Sequence, residues 1–163
     1  MNTLFKTIFL SAAILIATLS SNTYANEIAK PWQLTTQSGE AISLAQYQNR
    51  PVILHFWATW CSYCKKIQPS LDALQKKYQA QGVALIAISF NEDEGTLPQD
   101  EINRRGYDFI TAVNGEAVAK LYDIAGTPTT FFINRKNEII FKTSSSNPSD
   151  PRFDLALQQI IKQ

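Results

Sequence analysis

The chain has few of the residues that build metal centres, with two cysteines and one histidine among 163 residues. A structural zinc site needs about four nitrogen or sulfur ligands, so these three side chains argue against one. An excess of charge is also missing, because the formal net charge is +1 and the basic residues are scattered. No long-range field attracts a polyanion. The composition therefore argues against nucleic acid as a partner, and the sequence predicts no metal and no cofactor.

The one long apolar run lies at the N-terminus, where residues 8–19 follow the single positive charge of Lys6. Small polar residues and Ala25 come next, which is the pattern of a secretory signal peptide. About a dozen apolar residues fall short of the roughly 20 that span a bilayer. We therefore predict cleavage after Ala25 and a soluble periplasmic protein, with an uncleaved N-terminal helix as the alternative. The predicted domains are a signal peptide, 1–25, and one globular domain, 26–163.

Strand and helix patterns alternate after the leader. Short strand-like pieces at 32–34 and 41–44 flank a turn, which predicts an N-terminal β-hairpin. Further strands are predicted at 52–57, 83–90, 109–112, 129–133 and 138–142, and helices at 62–79, 97–105, 116–122 and 151–162. This order predicts an α/β fold with a mixed central sheet flanked by helices.

Both cysteines lie between a buried strand and the start of a helix, in the order Cys61-Ser62-Tyr63-Cys64. Unpaired amides and the helix dipole favour an anion there, so Cys61 is predicted to be the attacking thiolate. Cys64, one turn later, is predicted to resolve the mixed disulfide. A purely structural disulfide is an alternative, although so short a loop removes little entropy from the unfolded chain. Copper binding by the pair with His55 is chemically allowed, because thiolates select soft metals.

Residues 56–65, Phe-Trp-Ala-Thr-Trp-Cys-Ser-Tyr-Cys-Lys, resemble the active-site segment of thioredoxins, and residues 126–129, Gly-Thr-Pro-Thr, resemble that family's cis-proline loop. The leader, the hairpin and the extra segment at 91–106 are most similar to the TlpA/ResA branch of exported thiol-disulfide proteins. The resemblance implies a thioredoxin fold with an inserted helix and a mostly reducing activity. It also implies that Trp60 flanks the sulfurs and that a cis Thr127-Pro128 bond lets the Thr127 backbone pair with a substrate. Protein clients with disulfides or dithiols, and a membrane electron donor of the DsbD type, are implied as partners.

Two features depart from the thioredoxin pattern. His55 stands on the central strand where thioredoxins have a buried aspartate, so His55 is a candidate proton acceptor or a hydrogen-bonded core residue. Ser62-Tyr63 replaces the Gly-Pro of thioredoxin, which leaves the redox direction open. The acidic run 92–94 follows the second strand, and one of these acids is a candidate for tuning proton transfer. A solvated loop is the preferred interpretation of this run.

Four functions remain open at this point. A dithiol reductase is the leading prediction, and a disulfide oxidase or isomerase shares all of its residues but differs in reduction potential. A non-enzymatic peptide- or metal-binding protein of the same fold is the third. A peroxidase is the fourth, although the reactive cysteine of peroxiredoxins lies in a different motif.

Overall fold

Residues 26–163, which the computed structural model describes, form one mixed eight-stranded sheet with four α-helices. The strands are β1 (Glu27–Ile28), β2 (Gln33–Thr36), β3 (Ala41–Ser43), β4 (Val52–Trp57), β5 (Ala84–Ser89), β6 (Ile110–Val113), β7 (Thr129–Ile133) and β8 (Glu138–Thr143). The helices are α1 (Ser62–Lys77), α2 (Pro98–Arg104), α3 (Glu116–Leu121) and α4 (Pro151–Lys162). The α/β class and mixed central sheet predicted from the sequence are confirmed.

The predicted signal segment, 1–25, lies outside the described residues, so cleavage after Ala25 stays a prediction. Among residues 26–163, none of the helices has the length and apolar character needed to cross a membrane.

Strand β4 lies at the centre of the sheet, parallel to β5 and antiparallel to β7. All of its residues are buried. Ile53 and Trp57 belong to the core under α1 and α4, whereas Leu54 and Phe56 belong to the core under α3. The nearly continuous apolar sequence of β4 follows from this position, because a central strand is covered on both faces.

The predicted N-terminal hairpin is present as β2 and β3, and β2 continues the main sheet by pairing antiparallel with β6. Strand β1, which pairs with β8 at the opposite edge, is not among the elements predicted from the sequence. Nor are two 3-10 turns, Leu44–Tyr47 and Gln79–Gln81. Strand β1 is only two residues long and both are exposed, so its sequence carries no alternation that could predict it.

The chain direction of the strands brings the candidate site together. Strands β4, β5 and β6 are parallel, so the segments after Trp57, Ser89 and Val113 all emerge at one edge of the sheet. Strand β7 is antiparallel to β4, so the segment before Thr129 lies at the same edge. Ligands and substrates of α/β sheets bind at this carboxyl edge, where loops replace regular structure.

Gly115 lets two of these segments meet closely. Its N–H donates to the carbonyl of Ser89 at 2.9 Å, which ties the end of β5 to the start of α3. A Cβ at position 115 would lie 2.8 Å from that carbonyl oxygen and 2.3 Å from Cγ2 of Ile88. Only glycine allows this approach without a shift of the backbone.

We expect Gly115→Ala to lower the free energy of unfolding by about 1–3 kcal/mol, because the added methyl group overlaps buried atoms of β5. Gly126→Ala is the matched control, since a Cβ there meets nothing within 4 Å. Urea unfolding monitored by circular dichroism measures both variants. Equal stability of the two variants would contradict the steric requirement at Gly115.

Candidate active site

The cysteine pair occupies the first turn of α1 and is joined as a disulfide. Cys61 is the N-cap residue, and its Sγ accepts a hydrogen bond from the N–H of Cys64 at 3.1 Å. Cys64 is fully buried, whereas Cys61 retains 4% exposure. The sulfur of Cys61 thus takes the place that a serine or aspartate oxygen usually fills at a helix start. A helix N-terminus favours negative charge, so this arrangement stabilises a Cys61 thiolate over a Cys64 thiolate.

Two exposed aromatic residues surround the pair. Trp60 is 56% exposed and Tyr63 is 62% exposed, although apolar side chains of this size are usually covered. The indole of Trp60 donates to the carbonyl of Asn91 at 2.8 Å, and the N–H of Asn91 donates to a carboxylate oxygen of Glu116 at 2.9 Å. This hydrogen bond holds the indole of Trp60, the residue before Cys61, in place, although it stays open to solvent. That Trp60 flanks the sulfurs stays a prediction.

Glu92 is bound directly to the segment that leads into the cysteines. Its carboxylate accepts the N–H of Thr59 at 2.9 Å and the hydroxyl of the same residue at 2.5 Å, and it also accepts the hydroxyl of Ser89. The interpretation of residues 92–94 as a solvated loop is therefore wrong for Glu92, although Asp93 and Glu94 are exposed. The backbone and hydroxyl of Thr59 and the hydroxyl of Ser89 all donate to this carboxylate, which therefore ties the ends of β4 and β5 together.

Four residues of this network are not among the site residues predicted from the sequence: Thr59, Ser89, Asn91 and Glu116. One signal available was position: each lies at or just after the carboxyl end of a parallel strand, or at the start of the helix that follows β6. The partners of Thr59, Asn91 and Glu116 come from segments 25 to 33 residues away in the chain, whereas Ser89 and Glu92 are three residues apart. Local pattern carries no information about contacts at that separation.

His55 lies in the middle of β4 and is completely buried. By the alternation of a strand it shares the face of Ile53 and Trp57, which pack in the core that contains the cysteines. Its Nδ1 is 3.0 Å from the hydroxyl of Thr130, and its Nε2 finds no hydrogen-bond partner among residues 26–163. Burial lowers the pKa of His55 from 6.5 to about 3. The imidazole is thus neutral near pH 7, which favours the core-residue hypothesis over the proton acceptor.

The Thr127-Pro128 peptide bond is cis, which is the geometry that the resemblance implied. Pro128 is buried and Thr127 is partly exposed, immediately before β7. The hydroxyl of Thr129 donates to the carbonyl of Gly126 at 2.8 Å and closes the loop. Chain direction places this loop at the same edge as Cys61, and pairing of the Thr127 backbone with a substrate stays a prediction.

Comparison with known proteins agrees with this geometry. The model of the AhpC/TSA family matches residues 25–142. The thiol-disulfide oxidoreductase ResA of Halalkalibacterium halodurans is 36% identical over 117 residues, which is 71% of this chain and 66% of that protein. The thioredoxin-like protein YneN of Bacillus subtilis is 33% identical over 113 residues, which is 68% of this chain and 66% of that protein. The chain thus spans just under two thirds of the length of these relatives.

A solved structure shows the same fold. The crystal structure of a thiol:disulfide interchange protein of the thioredoxin family from Chlorobium tepidum superposes with a TM-score of 0.71. The match covers 83% of this chain and 97% of the other, at 21% identity. The predicted thioredoxin fold, with its hairpin and inserted helix, is thereby confirmed.

His55 makes the fold sensitive to acid. Between pH 6.5 and about 3 the unfolded chain binds a proton at His55 that the folded chain does not. The free energy of unfolding therefore falls by up to about 1.4 kcal/mol for each pH unit below 6.5. Asparagine cannot titrate, so between pH 7 and 4.5 we expect the free energy of unfolding of His55→Asn to fall by about 2–3 kcal/mol less than that of the wild type. Urea unfolding at several pH values measures this difference, and parallel pH dependences would contradict it.

Proposed function

The chain belongs to the AhpC/TSA family, and from that premise we propose that it is a thiol-disulfide oxidoreductase that reduces disulfides in exported protein clients. Cys61 is the attacking residue and Cys64 the resolving residue. The observation that carries this proposal is the Cys61 sulfur at the N-cap of α1, with the N–H of Cys64 directed at it. The ResA relative bears the name of the same activity.

The reaction follows from the two positions. The Cys61 thiolate attacks one sulfur of a client disulfide, the other client sulfur leaves as a thiolate, and a mixed disulfide forms. Cys64 then loses its proton and attacks the sulfur of Cys61, so the second client sulfur leaves as a thiolate. Two electrons pass from the cysteine pair to the client, and the Cys61–Cys64 disulfide seen in the structure is the oxidised product.

The compartment and the electron donor belong to the same proposal. The signal pattern in residues 1–25 supports export to the periplasm, where disulfides of client proteins form and persist. The oxidised pair must then be reduced again outside the cytoplasm. A membrane donor of the DsbD type, which the TlpA/ResA resemblance implies, supplies that step.

The reduction potential separates a reductase from an oxidase or isomerase. We expect the Cys61/Cys64 couple to equilibrate with dithiol buffers at about −250 mV or below, as thioredoxin does. The fluorescence of Trp60, beside the disulfide, reports the redox state. Cys61→Ser should abolish client reduction, whereas Cys64→Ser should trap the client as a mixed disulfide on Cys61.

A potential of about −120 to −180 mV would instead support an oxidase or isomerase. If the protein keeps its biological function when Cys61→Ser has removed client reduction, the non-enzymatic binding protein would be supported. Reduction of hydrogen peroxide faster than of any disulfide would move the proposal to the peroxidase alternative.

We further propose that Glu92, rather than His55, accepts the proton of Cys64. Cys64 is fully buried and needs a base to ionise. His55 is a poor base because burial lowers its pKa to about 3. The carboxylate of Glu92 accepts a hydrogen bond from Thr59, two residues before Cys61.

Glu92→Gln should slow release of the client from the mixed disulfide at least about tenfold at pH 7, since it removes a general base. The difference in release rate between this variant and the wild type should shrink towards pH 9, where the Cys64 thiol ionises without a base. Single-turnover release measured from pH 6 to 9 provides the profile, and Glu94→Gln, in the exposed part of the loop, is the control. The same loss at every pH would show that Glu92 only positions Thr59.

A further inference from the structure

A cavity of about 470 Å³ opens between helix α2 and the loop that carries Trp60, the residue before Cys61. Its volume lies in the range of cavities that bind small molecules, and a single side chain fits within it. The cavity lies on the α2 side of the active site, and the cis-proline loop is absent from its lining among the described residues.

Its apolar surface comes from Trp60 and Leu97. Trp60 is 56% exposed and Leu97 is 53% exposed, so both expose large apolar surface. The hydrogen bond from the Trp60 indole to Asn91 holds one wall in place before any partner binds. A fixed aromatic wall lowers the entropy lost on binding, which is a property of side chains that dominate interfaces.

The stability of α2 does not account for a leucine at position 97. Leu97 is the N-cap residue of α2 and makes no side-chain capping hydrogen bond. Serine, threonine, aspartate or asparagine stabilises a helix at that position, whereas leucine is among the poorest residues there. Pro98, in the first turn, fits the helix start well. The exposed apolar side chain of Leu97 is thus explained by neither capping nor burial.

Three of the four charged groups in the lining are paired with one another, and the fourth has a neutral hydrogen-bond partner. Glu101 forms ion pairs with Lys65, at 3.1 Å, and with Arg104. Asp100 accepts a hydrogen bond from the amide of Gln37 at 2.8 Å. Two basic and two acidic side chains cancel in net charge, so the cavity favours an uncharged occupant.

We propose that this cavity receives an uncharged apolar side chain of the client polypeptide, close in sequence to the client cysteine that bonds to Cys61. This inference rests on the proposed function, because the mixed disulfide is what holds the client at the site. Trp60 directly precedes Cys61, and an extended chain advances about 3.3 Å per residue. Three residues of extended chain span about 10 Å, so we place the apolar residue of the client within about three positions of its cysteine.

The test uses peptide dimers joined by a single disulfide, with leucine, glycine, aspartate or lysine placed in turn within three positions of the cysteine. We expect the wild type to reduce the best leucine dimer with a kcat/KM about tenfold above that of the glycine dimer, which is the size of effect that one buried aliphatic side chain produces. Leu97→Ser should bring that ratio below about two. Serine is a better N-cap than leucine, so the midpoint temperature of thermal unfolding of this variant should stay the same or rise.

Leu155→Ser is the matched control, because Leu155 is also 56% exposed but lies on α4. This control should keep the wild-type ratio. Equal rates with leucine and glycine dimers, or a ratio that survives Leu97→Ser, would overturn the docking proposal. A preference for the aspartate or lysine dimer would also overturn it, since the occupant would then be charged.

Hydroxyethyl disulfide separates this failure from failure of the proposed function, because it has no side chain to fill the cavity. If the wild type reduces hydroxyethyl disulfide but does not distinguish the dimers, only the docking proposal is overturned. If it reduces neither hydroxyethyl disulfide nor any dimer, the proposed function is overturned and the docking proposal with it.

Discussion

The junction between β4 and α1 is the constraint on which the rest of the site depends. Strand β4 is buried on both faces and hydrogen-bonded on both edges, so its end cannot move without disturbing the centre of the sheet. Helix α1 begins five residues after that strand, with Cys61 as its N-cap. The sulfur therefore meets the unpaired amides of a helix whose own position is set by the core. A setting that favours a Cys61 thiolate thus follows from rigid packing rather than from any unusual neighbour.

The carboxyl end of β5 provides the second half of the site. Glu92, just after β5, accepts hydrogen bonds from Thr59, which lies between β4 and Cys61. The turn at Asn91 holds the indole of Trp60, and Glu116 holds that turn. Each of these bonds joins segments that leave the same edge of the sheet. The carboxylate of Glu92 is thus partly buried but not without partners, because Thr59 and Ser89 both donate hydrogen bonds to it.

His55 shows how the core limits the chemistry of a titratable residue. A histidine on a surface titrates near neutral pH and serves as an acid or base. On β4 it lies among apolar side chains, and Thr130 is its one hydrogen-bond partner within residues 26–163. Desolvation of the imidazolium outweighs that single bond, so burial lowers the pKa of His55 to about 3. The same position that hosts a buried acid in thioredoxins here contributes to packing and to acid sensitivity.

The sequence by itself determined the order of strands and helices, the α/β class and the cysteine pair at a helix start. These follow from local periodicity and from residue types within one or two turns of each other, as in β4 and α1. It did not determine the strand β1, the hydrogen bonds of Glu92 or the burial of His55. Strand β1 depends on a partner more than 100 residues away, and Glu92 depends on Thr59, 33 residues away. The tertiary structure decided these features, because burial and hydrogen bonding between distant segments set the properties of a side chain that its neighbours in sequence leave open.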